Sequence, residues 1–196
     1  IEQKSAPPPR RDGRSARGAV AAPMNDAGNS RPMRHPNLMA LRPSQWSKNG
    51  IVLAAFFFAF WDTERARPLT LADLVPAVAA ALLFCLASSA IYVMNDILDA
   101  EFDRLHPVKR NRPIAAGQIP VPTAWAMAAG LLAGAVGGAW LLAPRFALVV
   151  GAYVLVQVAY TLALKRVALV DVLVIAGGFV LRAIAGAVVL DVEISP

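Results

Sequence analysis

The chain has 196 residues, of which 57% are hydrophobic and 16% are charged, and its mean hydropathy is +0.53. Soluble domains average about 45 to 50% apolar and about 25% charged residues. The composition therefore excludes a small soluble enzyme, a secreted disulfide scaffold and a disordered chain, and it predicts a protein that crosses a membrane several times. The single cysteine, Cys85, lies inside an apolar run, so no internal disulfide can form.

The first 37 residues differ from the rest of the chain. They are rich in Pro, Arg, Gly and Ser and have little periodic apolar content. We predict that residues 1–37 form a disordered polar and basic tail, because they cannot bury enough apolar surface to fold. The chain starts at Ile1 rather than at a methionine, which indicates a fragment or a true start nearer Met33 or Met39.

Five apolar segments follow the tail, and they predict an all-α polytopic transmembrane bundle over residues 38–196. The first segment numbers only about a dozen residues, so it must include the polar turn at 47–49 to reach spanning length. The other four are long enough by themselves. The five segments cover residues 50–61, 71–94, 123–143, 146–164 and 167–190.

The distribution of positive charge decides between a nucleic-acid partner and a membrane. The net charge is +6 and the pI is about 10.1. Fifteen of the 19 lysines and arginines lie in the tail with the turn at 42–48, in the loop at 104–112 and at 165–166, all on one side of the predicted membrane. Such a bias places the N-terminus in the cytoplasm, and it favours a multi-pass plasma-membrane protein over one that binds nucleic acid.

Acidic residues cluster where the second predicted helix reaches the cytoplasmic side. At about 100° per residue, Asn95, Asp96, Asp99 and Asp103 fall within an arc of roughly 100°. Like charges this close repel one another unless a cation neutralises them. Hard oxygen ligands of this kind suit Mg²⁺ held between the protein and a diphosphate. The alternative is a solvated acidic helix end.

Three cations follow the acidic residues directly. Lys109, Arg110 and Arg112 lie within four residues, just before Pro113. A diphosphate requires fixed positive charge as well as a divalent metal, and arginine offers a bidentate fork for phosphate. A positive-inside anchor would explain the charge of this loop, but it would not explain why the charge lies beside an acidic face.

These residues carry a resemblance to a known family. The pattern N-D-x-x-D-x-x-x-D, matched by Asn95, Asp96, Asp99 and Asp103, resembles the first aspartate-rich motif of the UbiA superfamily of intramembrane prenyltransferases. Residues 41–49, 106–117 and 181–186 are similar to the phosphoribosyltransferase branch of that family. The resemblance covers about residues 41–190.

The resemblance implies a nine-helix fold with a cavity that faces the cytoplasm, a lateral opening for lipid and two aspartate-rich motifs that hold Mg²⁺. Asp96, Asp99 and Asp103 would be the catalytic metal ligands, and Asn95 would bind the donor or orient the cluster. The implied reaction of the branch transfers a 5-phosphoribosyl group from phosphoribosyl diphosphate to a polyprenyl phosphate such as decaprenyl phosphate, in the supply of cell-wall arabinan precursors. Five of the nine helices are expected here and no second acidic motif, so we expect this piece alone to be inactive.

Further candidate substrate-binding residues lie on the cytoplasmic side. Lys48 and Asn49 stand at the entrance of the first helix, and Tyr160 and Lys165 end the fourth. Lys165 is expected either to meet a phosphate or to snorkel to the interface. Arg182 lies roughly 15 residues, about 22 Å, into the fifth helix, so it needs an interior partner. A structural role and a direct catalytic role stay open for Arg182.

Three alternatives remain at this point. The same acidic motif serves transfer of a prenyl group from its diphosphate to an aromatic acceptor, and an inactive truncated membrane fragment would lack the second motif. A transporter would also place ionisable residues in a bundle, but its charges would line a path across the membrane instead of gathering at one end. The sequence leaves a homo-oligomer open.

Overall fold

A computed structural model describes residues 35–62, 67–164 and 168–193. These residues belong to one unit, Arg31–Pro196, and their regular structure is helical throughout. Most of the predicted tail lies outside the described ranges. The first helix, α1, covers Pro36–Ala40 and so begins within the last residues assigned to that tail.

Four helical segments are long and apolar enough to cross a membrane, and they confirm four of the five predicted spans. They are Leu71–Leu98, Val121–Leu142, Pro144–Leu164 and Leu169–Val189. The elements after α1 are a 3₁₀ helix Pro43–Leu53 that runs into α2 Ala54–Phe60, then α3 Leu74–Leu98, α4 Ala100–Leu105, α5 Val121–Leu142, α6 Pro144–Ala159 with a π-helical turn Tyr160–Leu164, and α7 Ala168–Val189.

The first apolar segment differs from an ordinary transmembrane α-helix. A 3₁₀ helix of 11 residues, Pro43–Leu53, begins before the segment and runs into it, and only the next 7 residues, Ala54–Phe60, are α-helical. Because a 3₁₀ helix rises about 2.0 Å per residue and an α-helix about 1.5 Å, the two together would be about 32 Å long. A hydrocarbon core is about 30 Å thick, so a spanning length takes the whole of Pro43–Phe60, which includes the polar turn at 47–49 as the sequence predicts.

Local sequence fixes the ends of the long helices. At the start of α3, Thr70 and Asp73 form a capping box, in which the Asp73 carboxylate accepts from the Thr70 backbone N–H at 2.8 Å. Pro144 starts α6 after a single extended residue, Ala143, so α5 and α6 pack as neighbours.

The largest core cluster lies between α3, α5, α6 and α7. Phe84 contacts Phe146 and Tyr153, with ring centroids 6.0 and 5.2 Å apart, and small residues such as Ala135 and Ala185 fill the rest. Many large apolar side chains remain exposed on the outer helix faces, including Leu148 and Leu155 on α6 and Leu173 on α7. Such an exterior suits a lipid environment.

Two glycines allow close contact between helices, which is a common role of small residues in membrane bundles. A Cβ at Gly186 would lie 2.0 Å from the Val52 carbonyl oxygen, and one at Gly138 would lie 2.5 Å from a Leu83 methyl. Several other glycines of α5 and α7 face open space among the described residues. Gly130, Gly137 and Gly177 would meet no atom within 4 Å.

Candidate functional site

The acidic motif lies where α3 ends and α4 begins. Asp99 separates the two helices, with φ −94° and ψ 0°. Backbone hydrogen bonds from Asp99 N to Asn95 O and from Asp103 N to Asp99 O, at 2.9 and 2.8 Å, continue the helical path across the break. Asp96 and Asp103 are therefore two helical turns apart on one side, and both are buried.

Two arginines neutralise these two carboxylates. Arg112 Nη1 donates to Asp103 Oδ2 at 2.6 Å and to Asp96 Oδ1 at 3.1 Å, and Arg42 Nη2 donates to Asp96 Oδ1 at 2.5 Å. The carboxylate side chains are 3% and 4% exposed, whereas both arginine side chains are 27% exposed. We call these four residues the arginine–aspartate cluster. Its formal charges cancel, and its cations form the outer layer.

Arg42 was missed by the sequence analysis as a site residue. It lies between α1 and the 3₁₀ helix, with φ 52° and ψ 61°, a left-handed conformation that is uncommon for a bulky side chain. Its guanidinium carbon lies 4.9 Å from the centroid of the Tyr92 ring, a cation–π contact. Its position could have indicated this role. Arg42 is a cation at the start of the first segment, and the distribution of lysines and arginines places that start on the same side of the membrane as the acidic motif.

Arg112 is held by an ordered loop between α4 and α5. His106 Nδ1 accepts the backbone hydrogen of Lys109 at 3.3 Å, which closes the turn after α4. Beyond Arg112, the side chains of Ile114 and Ile119 are buried in a core cluster with α3 and α5. Arg112 thus lies between two fixed points, and its guanidinium group reaches back to the acidic motif.

The other predicted phosphate-binding cations lie elsewhere. Lys109 and Arg110 are exposed on a 3₁₀ turn, Lys109–Asn111, and form no ion pair with carboxylates of the described residues. Lys48 is exposed as well. Lys165 lies outside the described ranges. Of the predicted cations in the loop at 104–112, Arg112 is thus the one that the structure brings to the acidic motif.

A cavity of about 140 Å³ adjoins the arginine–aspartate cluster. Tyr92 forms part of both, because its ring lies under Arg42 and also lines the cavity. The cavity is bounded mainly by α3, α6 and α7. Its polar and charged lining includes Lys48, Asn95, Tyr160, Asp171 and Arg182.

The π-helical turn after α6 links two helices that line this cavity. The Tyr160 hydroxyl donates to Asp171 Oδ1 at 2.8 Å, which links the turn to α7. The Thr161 hydroxyl lies 2.6 Å from Asn95 Oδ1, which links the turn to α3. Single π-helical turns are frequent at functional sites because they redirect side chains. Tyr160 and Asn95, both predicted site residues, are thus brought to one cavity wall.

Arg182 is buried and bound by neutral groups. Its Nε donates to Asn49 Oδ1 at 2.7 Å, its Nη1 to the Gly178 carbonyl at 2.8 Å and its Nη2 to the Tyr153 hydroxyl at 3.1 Å. The guanidinium carbon also lies 4.9 Å from the Tyr153 ring centroid and 5.6 Å from that of Phe179. Arg182 therefore has the interior partners that its position predicts. Within the described ranges these partners are an amide, a carbonyl, a hydroxyl and two aromatic rings.

Asn49 completes this network. It is 1% exposed, and its Nδ2 donates to Ser88 Oγ at 3.1 Å and to Cys85 Sγ at 3.2 Å. Both of its amide hydrogens and the oxygen that accepts from Arg182 are thus engaged within the protein. Asn49 and Arg182 join the 3₁₀ helix to α3 and α7, which is a structural role, and a contact of Asn49 with substrate stays a prediction.

The donor set fits an ion that is shared with a phosphate. Among the described residues, no three His, Cys, Asp or Glu side chains form a group that could hold a metal, so Asp99 does not complete a cage with the other two aspartates. Asp96 and Asp103, however, already hold one positive nitrogen between their oxygens. Mg²⁺ is commonly held by one or two carboxylates with substrate phosphates and water, and this pair suits that arrangement.

Comparison with known families now identifies the fold. The UbiA prenyltransferase family matches residues 51–196, and these residues include the acidic motif, its loop and all four candidate spans. The chain belongs to the UbiA prenyltransferase family. The resemblance seen in the sequence motif is therefore confirmed.

Two curated relatives share one name. The chain is 42% identical to the decaprenyl-phosphate phosphoribosyltransferase of Mycolicibacterium smegmatis over 159 residues, which is 81% of this chain and 49% of that protein. It is 41% identical to the protein of that name from Corynebacterium glutamicum, over 81% of this chain and 47% of the relative. The chain thus spans about half the length of these relatives.

A solved structure shares the fold. A UbiA homolog from Archaeoglobus fulgidus, described as bound to GPP and Mg²⁺, superposes with a TM-score of 0.63 at 24% identity and covers 82% of this chain and 56% of its own. At this identity the likeness concerns the fold. It supports a UbiA-type fold for the described helices.

Proposed function

We propose that this protein takes part in transfer of a 5-phosphoribosyl group from phosphoribosyl diphosphate to a polyprenyl phosphate, decaprenyl phosphate in the relatives' names. The observation that carries the proposal is the arginine–aspartate cluster beside a polar cavity at one end of an apolar bundle. That end offers fixed positive charge to a diphosphate and paired carboxylates to a divalent cation. The exposed apolar helices suit a lipid acceptor.

The proposed step exchanges one bond for another at the anomeric carbon. The bond from that carbon to the diphosphate oxygen breaks, and a phosphate oxygen of the lipid forms the new bond, so inorganic diphosphate leaves. The lipid phosphate is already anionic, and no protein nucleophile is needed. Groups that stabilise the charge on the departing diphosphate supply the main acceleration.

Within this proposal the acidic motif holds Mg²⁺. Asp96 and Asp103 would supply carboxylate oxygens, and Asp99 would act from the break between α3 and α4 through water or a second ion. When bound, Mg²⁺ would neutralise charge that develops on the departing diphosphate. Asn95, which lines the cavity, would hydrogen-bond the donor sugar or orient its phosphates.

Cationic side chains around the cavity would bind the phosphates of donor and acceptor. Arg112 is suited to the diphosphate because a guanidinium group can bind two phosphate oxygens at once. Lys109, Arg110 and Lys165 would extend this positive rim. Lys48 and Tyr160 face the cavity from different elements, and we assign them to the acceptor phosphate.

We further propose that this end of the bundle faces the cytoplasm at the plasma membrane. Arg42 and Asp96 are in contact, so the start of the first segment and the end of α3 lie at the same end. The segments that the sequence assigns to this side, namely the N-terminal tail and the loops at 42–48, 104–112 and 165–166, carry 15 of the 19 lysines and arginines, which is the distribution expected for cytoplasmic segments. Phosphoribosyl diphosphate would enter from the aqueous side and the lipid from the membrane.

The experiment that tests the proposal compares two substrate pairs in membranes that contain the full-length protein. One pair is phosphoribosyl diphosphate with polyprenyl phosphate, and the other is a prenyl diphosphate with 4-hydroxybenzoate, each with and without Mg²⁺. We expect a phosphoribosylated lipid from the first pair, with Mg²⁺ only. Product from the second pair alone would replace the proposal with prenyl transfer to an aromatic acceptor. Asp99→Asn, which keeps the shape of the side chain, should remove turnover.

A further inference from the structure

The arginine–aspartate cluster engages both sets of groups that the reaction needs. A divalent cation requires the Asp96 and Asp103 oxygens, and these oxygens accept hydrogen bonds from guanidinium groups. A diphosphate requires guanidinium groups, and those of Arg42 and Arg112 are bound to the carboxylates. Neither ligand can bind fully at this cluster until the existing ion pairs separate.

We propose that Arg42 and Arg112 are exchangeable counter-ions, which leave the two aspartates for the phosphates of the donor as the divalent cation takes their place. The proposal deepens the function proposed above and rests on it for the class of ligand, a diphosphate with a divalent cation. It adds Arg42 to the binding residues. It also makes metal binding and phosphate binding depend on each other.

Charge explains this mutual dependence. The cluster holds two carboxylates and two guanidinium groups, so it is neutral when closed. A diphosphate that binds alone would take the cations and leave two buried carboxylates unpaired, which is strongly unfavourable. A metal ion that binds alone would displace two cations that then have no anion. When both ligands bind, every charge has a partner, and each ligand increases the affinity for the other by the same factor.

The geometry suits an exchange at the outer layer of the cluster. The carboxylates are buried on helices, whereas both arginines come from connecting segments and are partly exposed. Arg42 also lies over the Tyr92 ring, which lines the cavity. The ring can support the guanidinium group after it leaves Asp96, because cation–π attraction does not depend on the carboxylate. A short rotation would then direct Arg42 toward a ligand in the cavity.

Binding measurements on the purified protein in nanodiscs test the proposal without turnover. Mn²⁺ is titrated in the absence of phosphates, by the loss of its free electron-paramagnetic signal. Inorganic diphosphate is titrated separately in EDTA, by calorimetry. For Arg42→Gln we expect Mn²⁺ affinity to rise and diphosphate affinity to fall, each by about fivefold or more, since the cluster then carries a net negative charge.

Asp96→Asn should give the mirror image. It leaves Arg42 and Arg112 with fewer anionic partners, so diphosphate affinity in EDTA should rise although a metal ligand is lost, and Mn²⁺ affinity should fall. Arg104→Gln is the matched control, because Arg104 lies on α4 and donates to the Ala115 carbonyl at 3.2 Å instead of to a carboxylate. It should change neither affinity by as much.

Unchanged affinities in Arg42→Gln, or a fall in both, would overturn the proposal. If Arg42→Gln does not fold, an unchanged or lower diphosphate affinity of Asp96→Asn overturns it equally well. These results are separate from the proposed transfer, which is measured with the phosphoribosyl donor. Transfer activity without the opposite affinity changes would reject the exchange and keep the proposed function. Opposite affinity changes without transfer activity would keep the exchange and reject the proposed function.

Discussion

The molecule holds its arginine side chains in two different ways. Arg182 is bound by an amide, a carbonyl, a hydroxyl and two aromatic rings, all inside the bundle. Arg42 and Arg112 are bound by carboxylates at the end of the bundle and remain partly exposed. The neutral partners of Arg182 would stay buried and unsatisfied if it left, whereas the carboxylates can accept another cation. The first arrangement fixes helices, and the second can respond to a ligand.

The largest expected effect concerns the carboxylates of the arginine–aspartate cluster. Asp103→Asn should lower turnover of the phosphoribosyl donor by about 10²- to 10³-fold, the size typical of losing one group that stabilises transition-state charge. Activity in membranes at saturating Mg²⁺ measures it. Glu101→Gln is the control, because Glu101 is exposed on the same helix and should keep near-normal turnover. Equal losses in both variants would contradict a specific role for the cluster.

Arg182 should affect stability more than any exposed cation does. Arg182→Met removes three hydrogen bonds and leaves buried acceptors without a donor, so we expect a loss of about 3 kcal/mol in the free energy of unfolding. Thermal unfolding in detergent, followed by size-exclusion chromatography, measures this loss. Arg145→Met, an exposed residue at the start of α6, is the control. A melting temperature equal to that of the control would remove the anchoring role.

Close packing at Gly186 provides an independent test of the anchored region. A methyl group there would meet the Val52 carbonyl, so Gly186→Ala should push α7 away from the 3₁₀ helix and cost about 1 to 3 kcal/mol. Gly130→Ala, which meets open space, should be neutral or slightly stabilising because alanine favours helix. Similar melting temperatures of the two variants would show that this contact does not hold the helices together.

The smallest effect is expected for a change that keeps charge. Arg42→Lys retains a cation but loses the planar fork and most of the contact with Tyr92. We expect KM for the phosphoribosyl donor to rise roughly fivefold, equivalent to about 1 kcal/mol, with kcat little changed. Steady-state kinetics separate the two parameters. A lower kcat at unchanged KM would instead assign Arg42 to the chemical step.

Much of this arrangement follows from local sequence. Long apolar runs predict the four candidate spans, and the cations that directly follow the acidic motif predict positive charge beside it, which Arg112 supplies. The spacing of Asp96 and Asp103 likewise predicts a shared side, although the break at Asp99 alters the regular helix on which a three-carboxylate face depends. Local periodicity is sufficient for these features because neighbours along one helix are fixed by its geometry.

Contacts between distant segments could not be predicted in the same way. Arg42 and Asp96 are 54 residues apart, and Arg182 and Asn49 are 133 apart. Whether they meet depends on the rotation and axial offset of separate helices, which composition does not encode. The same limit explains why Asn49 was assigned to substrate binding from its position near the predicted entrance, although its side chain is engaged inside the bundle.

Labelling of arginines by phenylglyoxal, read residue by residue with mass spectrometry, tests the contrast between the two regions most directly. Labelling of Arg42 and Arg112 should increase with high Mg²⁺ alone, which displaces them, and decrease with inorganic diphosphate in EDTA, which binds them. Arg182 should stay unlabelled in every condition, and Arg104 should be labelled in all of them. Equal responses of Arg182 and the two cluster arginines, or no response of the cluster arginines to either ligand, would contradict the account.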